Sequence, residues 1–115
     1  EPARLRLTAD RTALKADGED LSYVLVEALD QDGNPCPLAM NDVQFTVTGP
    51  AAIAGVGNGD HHYPAEFVTD HVALFYGKAM LIVRAGDQGG KIRVRAVSAG
   101  LRGTETSLRS ERPKR

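Results

Sequence analysis

The chain has 115 residues, a length that fits one domain with a single hydrophobic core. Its 14 Lys and Arg residues nearly balance its 15 Asp and Glu residues, and the net charge of −1 excludes a strong field for nucleic acid or anionic membranes. No apolar run approaches the roughly 18 residues of a membrane-spanning helix. The single cysteine excludes an internal disulfide and a multi-cysteine zinc site. We therefore predict no nucleic-acid partner and no membrane partner.

The chain begins with Glu1 rather than Met, and no signal peptide is visible. We expect it to be a processed or excised part of a longer protein. The compartment of that parent stays open, with the periplasm and secretion as the candidates.

Short alternating segments separated by turn residues dominate the sequence and predict β-strands. In chain order these are residues 4–8 with a continuation at 12–15, then 21–29, 43–48, 51–56, 78–85, 91–97 and 104–108. The weak pattern of residues 60–71 predicts a long loop, with or without one short edge strand. No segment of 11 or more residues shows a helical period. The pattern predicts a two-sheet β-sandwich over residues 1–108 and a flexible charged tail over 109–115, with a small barrel as the alternative fold.

Some apolar residues fall on strand faces that should point away from the core. Leu25, Leu29, Met80 and Ile82 are the examples. The run at residues 78–85 is the most apolar of the chain, which is typical of a strand covered on both sides. We expect these positions to be buried by something beyond the sheet pair itself.

Two segments contain residue types that bind metals, and in both we prefer a turn. His61 and His62 are adjacent, so in an extended chain their side chains point to opposite sides, which is poor geometry for one ion. Residues 30–34 lack the EF-hand residues at loop positions six and twelve. A looser calcium site that adds Asp17 is the weaker alternative. We predict no metal and no cofactor.

No pattern predicts catalysis. Cys36 lies between two prolines with no activating partner nearby. A sandwich of this size offers no deep cleft in which two carboxylates could flank a sugar. We therefore predict no catalytic residue among the candidate glutamates Glu19, Glu27, Glu66, Glu105 and Glu111.

Two surface clusters remain as candidates for binding. Arginines 4, 6, 93 and 95 would form one basic stripe beside Glu27 if the first strand and a late strand are neighbours. Since arginine pairs with carboxylates in a bidentate manner, an interdomain contact is one interpretation and a solvated face is the other. Tyr63, Phe75 and Tyr76 are candidates for a domain contact or for sugar stacking, although some of the six aromatic residues are needed in the core.

An ordered series of motifs runs through almost the whole chain. They are LKADG at 14–18, VEALDQDG at 26–33, VQFTVTGP at 43–50, IAGVGNGD at 53–60 and FYGKAMLIVR at 75–84. In this order and spacing, residues 3–108 resemble the C-terminal immunoglobulin-like domain of bacterial glycoside hydrolase family 2 enzymes of the β-galactosidase type. The resemblance implies an all-β, immunoglobulin-like β-sandwich of two antiparallel sheets with seven to eight strands.

The resemblance also implies a non-catalytic accessory domain, because the two catalytic glutamates of such enzymes lie in a separate barrel. It marks the turn of Gly57, Asn58, Gly59 and Asp60 as a structural hallmark. The implied partners are the other domains of the parent glycosidase, with carbohydrate as a further candidate ligand. A carbohydrate-binding module and a stalk module of a bacterial adhesin are the alternative functions.

Overall fold

The computed structural model describes residues 2–58 and 69–112, in which nine β-strands form two sheets. The strands in chain order are β1 (Arg4–Ala9), β2 (Ala13–Lys15), β3 (Leu21–Leu29), β4 (Asp42–Thr48), β5 (Ala51–Gly57), β6 (His71–Ala73), β7 (Lys78–Ala85), β8 (Gly90–Val97) and β9 (Thr104–Glu111). The four-stranded sheet has the order β1-β3-β7-β5 and the five-stranded sheet has the order β2-β9-β8-β4-β6. The predicted all-β sandwich is confirmed. In this part of the chain, no helix has the length and apolar character needed to cross a membrane.

Because apolar and polar residues alternate, each long strand has one apolar face. These apolar faces pack together into a single core between the sheets. From the four-stranded sheet, Val24, Val26, Leu81 and Val83 are fully buried. The facing layer from the five-stranded sheet consists of Val43, Phe45, Ile92, Val94, Ala96 and Leu108. Because burying one large aliphatic side chain stabilises the fold by roughly 1.5–3 kcal/mol, these alternating positions dominate the choice of strand register.

The first segment of the chain contributes to both sheets, in contrast to the predicted continuation of one strand through residues 12–15. β1 pairs antiparallel with β3, whereas β2 pairs parallel with β9. The pairing of β1 ends at Asp10, whose carboxylate accepts a hydrogen bond from the backbone N–H of Tyr23 at 2.8 Å. The chain then crosses to the other sheet, where Leu14 is buried. Together with the short strand β6, this crossing gives nine strands rather than seven to eight, and one parallel pair.

Three of the four edge strands are short or irregular, whereas the fourth, β1, pairs with β3 in regular register over six residues. β2 and β6, the edges of the five-stranded sheet, have three residues each. β5, an edge of the four-stranded sheet, pairs with β7 through a register shift between Ile53 and Gly55. The last strand, β9, extends to Glu111, three residues beyond its predicted end, because β2 pairs with those three residues.

Candidate functional site

Two of the residues that the resemblance marks as a structural hallmark lie in the described part of the chain, Gly57 at the end of β5 and Asn58 directly after it. The side-chain amide of Asn58 donates a hydrogen bond to the backbone carbonyl of Ala73 at 2.7 Å. Because Gly57 ends β5 and Ala73 ends β6, this bond ties an edge of one sheet to an edge of the other. The remaining predicted residues of this segment lie outside the described part of the chain: Gly59, Asp60, His61, His62 and Tyr63.

The aspartates at the two ends of β3 hold turns and do not converge on one site. The Oδ1 atom of Asp30 accepts hydrogen bonds from the backbone N–H groups of Asp32 and Asn34, both at 2.9 Å. The bond from Asn34 is the main cause that lowers the pKa of Asp30. Asp17 caps the turn at the other end of β3, roughly 30 Å of strand away. In residues 2–58 and 69–112, no three His, Cys, Asp or Glu side chains group where they would hold a metal ion.

The side chains considered for catalysis are far apart. Glu27 lies on the outer face of the four-stranded sheet, where it pairs with Arg6 at 2.8 Å. Glu105 and Glu111 lie on β9 in the other sheet, roughly 20 Å from each other. Carboxylate pairs of glycosidases are about 5–9.5 Å apart, so these three residues do not form one. The Cys36 thiol lies 3.9 Å from a backbone carbonyl.

A tight turn presents two of the predicted aromatic residues immediately before β7. Backbone hydrogen bonds run in both directions between Phe75 and Lys78, at 2.9 and 3.1 Å. The central residues, Tyr76 and Gly77, have φ values of 54° and 75°, as in a two-residue hairpin turn of the left-handed type. A side chain at position 77 would collide with the carbonyl oxygen of Cys36, so glycine is required there. The left-handed conformation is unusual for tyrosine and marks the turn as strained.

The two rings of this turn meet edge to face. The ring planes of Phe75 and Tyr76 lie at 62°, with centroids 4.5 Å apart, so they do not form one coplanar platform. Tyr76 is 67% exposed. Sugar stacking by these residues stays a prediction.

The loop between β3 and β4 presents two apolar side chains that the sequence analysis did not identify. Leu38 and Met40 are 87% and 74% exposed, on either side of the buried Ala39. The loop is fixed against the aromatic turn, because the Gly77 N–H donates a hydrogen bond to the Ala39 carbonyl at 3.2 Å. We call Leu38, Met40 and Tyr76 the loop-end cluster.

The outer face of the four-stranded sheet carries apolar side chains on its two central strands. Tyr23 lies opposite Ile82, and Leu25 lies opposite Met80, in the register of β3 with β7. All four alternate with buried residues, so they point away from the core. Ile82 is nevertheless only 8% exposed, although it does not belong to the core cluster. We call these four residues the outer strip; its position agrees with the sequence pattern at Leu25, Met80 and Ile82.

The predicted basic stripe does not form, because its arginines belong to different sheets. Arg4 and Arg6 lie on β1, whereas Arg93 and Arg95 lie on β8, and these two strands are not neighbours. Glu27 nevertheless lies beside the first strand, where it forms an ion pair with Arg6.

Arg102, which the sequence analysis did not single out, takes the place of the two β8 arginines. A β-bridge sets Arg102 beside Arg4, and with Arg6 they line one shallow cleft that also includes Leu29 and Gly33. Across the described residues, neither Arg4 nor Arg102 forms an ion pair. The Nε atom of Arg4 is buried, and the described part of the chain gives it no hydrogen-bond partner. We call Arg4, Arg6 and Arg102 the arginine cleft.

Comparison with known proteins finds similarity to enzymes of glycoside hydrolase family 2. The family model described as glycoside hydrolase family 2 C-terminal domain 5 matches residues 5–107. The β-galactosidase BoGH2A of Bacteroides ovatus is 43% identical over 111 residues, which cover 96% of this chain and 13% of that protein. A β-glucuronidase of Formosa agariphila is 32% identical over 113 residues, which cover 96% of this chain and 11% of that protein.

A solved structure shows the same similarity in three dimensions. A glycosyl hydrolase family 2 member from Bacteroides cellulosilyticus superposes with a TM-score of 0.92 at 35% identity. The match covers 96% of this chain and 14% of that one. The chain therefore spans between 11% and 14% of the length of these three proteins.

Proposed function

Because the chain belongs to the family of C-terminal domain 5 of glycoside hydrolase family 2, we propose that it is a non-catalytic accessory domain of a β-galactosidase. The observation that carries the proposal is the 43% identity to a β-galactosidase of which the chain matches only 13%. We infer that the catalytic groups belong to the remainder of the parent polypeptide. The work of this domain is then to pack against the catalytic part or to set its spacing from other domains.

The described side chains support a non-catalytic role. The carboxylates of Asp17 and Asp30 accept backbone hydrogen bonds in turns. Asp20 and Glu27 are held by arginine partners. These four carboxylates are therefore engaged in holding turns and strand pairs of the fold.

Glycosidase assays of the full-length parent protein and of the chain alone test the proposal. The full reading frame and the 115-residue chain are purified separately and assayed with p-nitrophenyl β-galactoside and β-glucuronide. We expect the full-length enzyme to hydrolyse the galactoside and the chain alone to hydrolyse neither. Turnover that stays with the chain through repurification would overturn the non-catalytic role. A full-length enzyme that hydrolyses only the glucuronide, the sugar named for the Formosa relative, would overturn the galactosidase assignment.

Sequencing upstream of Glu1 separates the remaining alternatives. A catalytic barrel bearing two glutamates would support the glycosidase hypothesis. Serial immunoglobulin-like repeats would favour an adhesin stalk instead. Sugar binding at Tyr76 is the second candidate function, motivated by the exposure of that ring on a strained turn. A calorimetric titration with galactosides that releases no heat would exclude it.

A further inference from the structure

The outer strip and the arginine cleft lie side by side on one face. In the register of β1 with β3, Thr8 lies opposite Leu25 and Arg6 lies opposite Glu27. Arg4 and Arg6 alternate with Leu5, which is buried in the core, so both arginines point outward with the strip. The face therefore has an apolar centre on β3 and β7 and a cationic margin on β1.

The charges of this face are not balanced within the chain. Lys78 and Arg84 flank the outer strip on β7, both are exposed, and neither forms an ion pair with a described residue. Among the outward residues of β1, β3 and β7 the single carboxylate is Glu27, which Arg6 already engages. Arg4, Lys78, Arg84 and Arg102 are left as cations without a counterion on the described face.

We propose that this face docks another domain of the same polypeptide, which places an apolar patch on the outer strip and a carboxylate in the arginine cleft. The proposal rests on the proposed function and names the surface through which it acts. A carboxylate suits the cleft because guanidinium groups bind it with two parallel hydrogen bonds. The matching relatives are long enough to supply such a domain, since this chain covers 13% of the β-galactosidase.

A second copy of this chain fits the face less well. A two-fold dimer would bring the same surface against itself, so the cations of one copy would meet those of the other. Like charges across an interface oppose association, and the one carboxylate of the face is already paired. A partner domain with an acidic margin meets the same apolar strip without this repulsion.

Methionine oxidation tests the proposal directly, because the chain has two methionines, Met40 and Met80. Met80 belongs to the outer strip, and Met40 belongs to the loop-end cluster, outside the proposed face. Peroxide oxidation is followed by peptide mass spectrometry in the full-length enzyme and in the 115-residue chain alone. We expect Met80 to be oxidised about tenfold more slowly in the full-length enzyme, and Met40 to change by less than about twofold.

Several results would overturn the assignment. Equal oxidation rates of Met80 in the two samples would show that this face is not the covered one. Equal slowing of both methionines would show that the protection is not specific to this face, and it would overturn the assignment as well. Protection of Met80 that grows with the concentration of the chain alone would identify a second copy as the occupant. Unprotected Met80 in an enzyme that hydrolyses galactosides would overturn the docking face while the proposed function stands. A parent without a catalytic domain would overturn the proposed function whatever the rate at Met80.

Charge-reversal variants test whether the partner domain places a carboxylate in the arginine cleft. In the full-length enzyme, Arg4→Glu combined with Arg102→Glu is expected to raise the oxidation rate of Met80 about fivefold or more, towards that of the chain alone. The matched control, Lys91→Glu with Arg95→Glu on the outer face of the other sheet, is expected to leave it unchanged. Where the double variant fails to fold, the single Arg102→Gln replaces it, because Arg102 is exposed. A folded variant with the wild-type rate would overturn the role of the cleft.

Discussion

The outward faces of the two sheets differ sharply, although both arise from alternating strands. On the five-stranded sheet the exposed residues of β8 and β9 are charged or polar apart from Gly90 and Val97 at the two ends of β8, and two exposed ion pairs, Arg93–Glu105 and Arg109–Glu111, lie among them. On the four-stranded sheet the two central strands carry the apolar outer strip instead. The comparison shows that alternation of apolar and polar residues along a strand indicates only that one of its faces is buried. The apolar outer face of β7 at Met80 and Ile82 is the feature on which the proposed docking of another domain rests.

The largest expected contrast is between Ile82→Asp and Val97→Asp. Both residues point outward, but Ile82 is 8% exposed and Val97 is 39% exposed, on the four-stranded and five-stranded sheets respectively. We expect Ile82→Asp to lower the free energy of unfolding of the chain by about 3 kcal/mol, through lost apolar burial and a desolvated carboxylate. Val97→Asp should lower it by less than about 1 kcal/mol. Urea unfolding measures both, and equal losses would show that the two faces are alike.

A smaller contrast is expected between the ion pairs of the two faces. The Glu27 side chain is 10% exposed and lies 2.8 Å from Arg6, whereas Glu105 is 45% exposed and lies 3.8 Å from Arg93. We expect Glu27→Ala to destabilise the chain by about 1–2 kcal/mol and Glu105→Ala by less than about 0.5 kcal/mol. A double-mutant cycle with Arg6→Ala isolates the pair energy. A zero coupling for Arg6 and Glu27 would contradict this expectation.

The smallest effect concerns Asp20. This residue lies between β2 and β3, where the chain passes from one sheet to the other. Its carboxylate pairs with Arg11 at 2.6 and 2.7 Å and accepts the Lys15 N–H at 2.8 Å, and these bonds hold the pKa of Asp20 well below its ordinary value. A lowered folded-state pKa stabilises the protein fully above about pH 4, and this stabilisation is lost as the pH falls below that value.

The urea concentration at the midpoint of unfolding is measured for the chain between about pH 5 and pH 2. We expect it to fall with acid in the wild type and to fall less steeply in Asp20→Asn, which has no carboxylate to protonate. Parallel pH profiles for the two proteins would show that this junction contributes nothing to acid sensitivity.

The long strands could be predicted from the sequence because each carries its own burial pattern. β3, β7 and β8 show local alternation or a continuous apolar run, and no distant residue is needed to recognise them. β2 could not be recognised as a separate strand, because its three residues also continue the pattern of β1. What moves it to the other sheet is its pairing with β9, almost a hundred residues further along the chain.

The candidate site was predicted only in part, for the same reason. The outward position of Leu25, Met80 and Ile82 follows from their alternation with core residues. The arginine cleft depends on a single bridge between Arg4 and Arg102, and nothing in either local sequence indicates that contact. The left-handed conformation of Tyr76 escaped prediction because the chain has only half of the usual hairpin signal, a glycine at position 77 without an asparagine or aspartate before it.

The irregular edges of the sheets have a consequence for how this domain behaves while its polypeptide is being synthesised. β2 and β6 are too short to template a foreign strand, and the register shift of β5 between Ile53 and Gly55 interrupts its ladder. Exposed strand edges are the usual starting point of aggregation, more than apolar faces alone. The fourth edge, β1, is regular but carries the charges of Arg4 and Arg6, which also oppose pairing with a foreign strand. On the docking proposed above, a nascent chain could therefore leave its outer strip uncovered until the neighbouring domain has folded, with little recruitment of strands from other molecules.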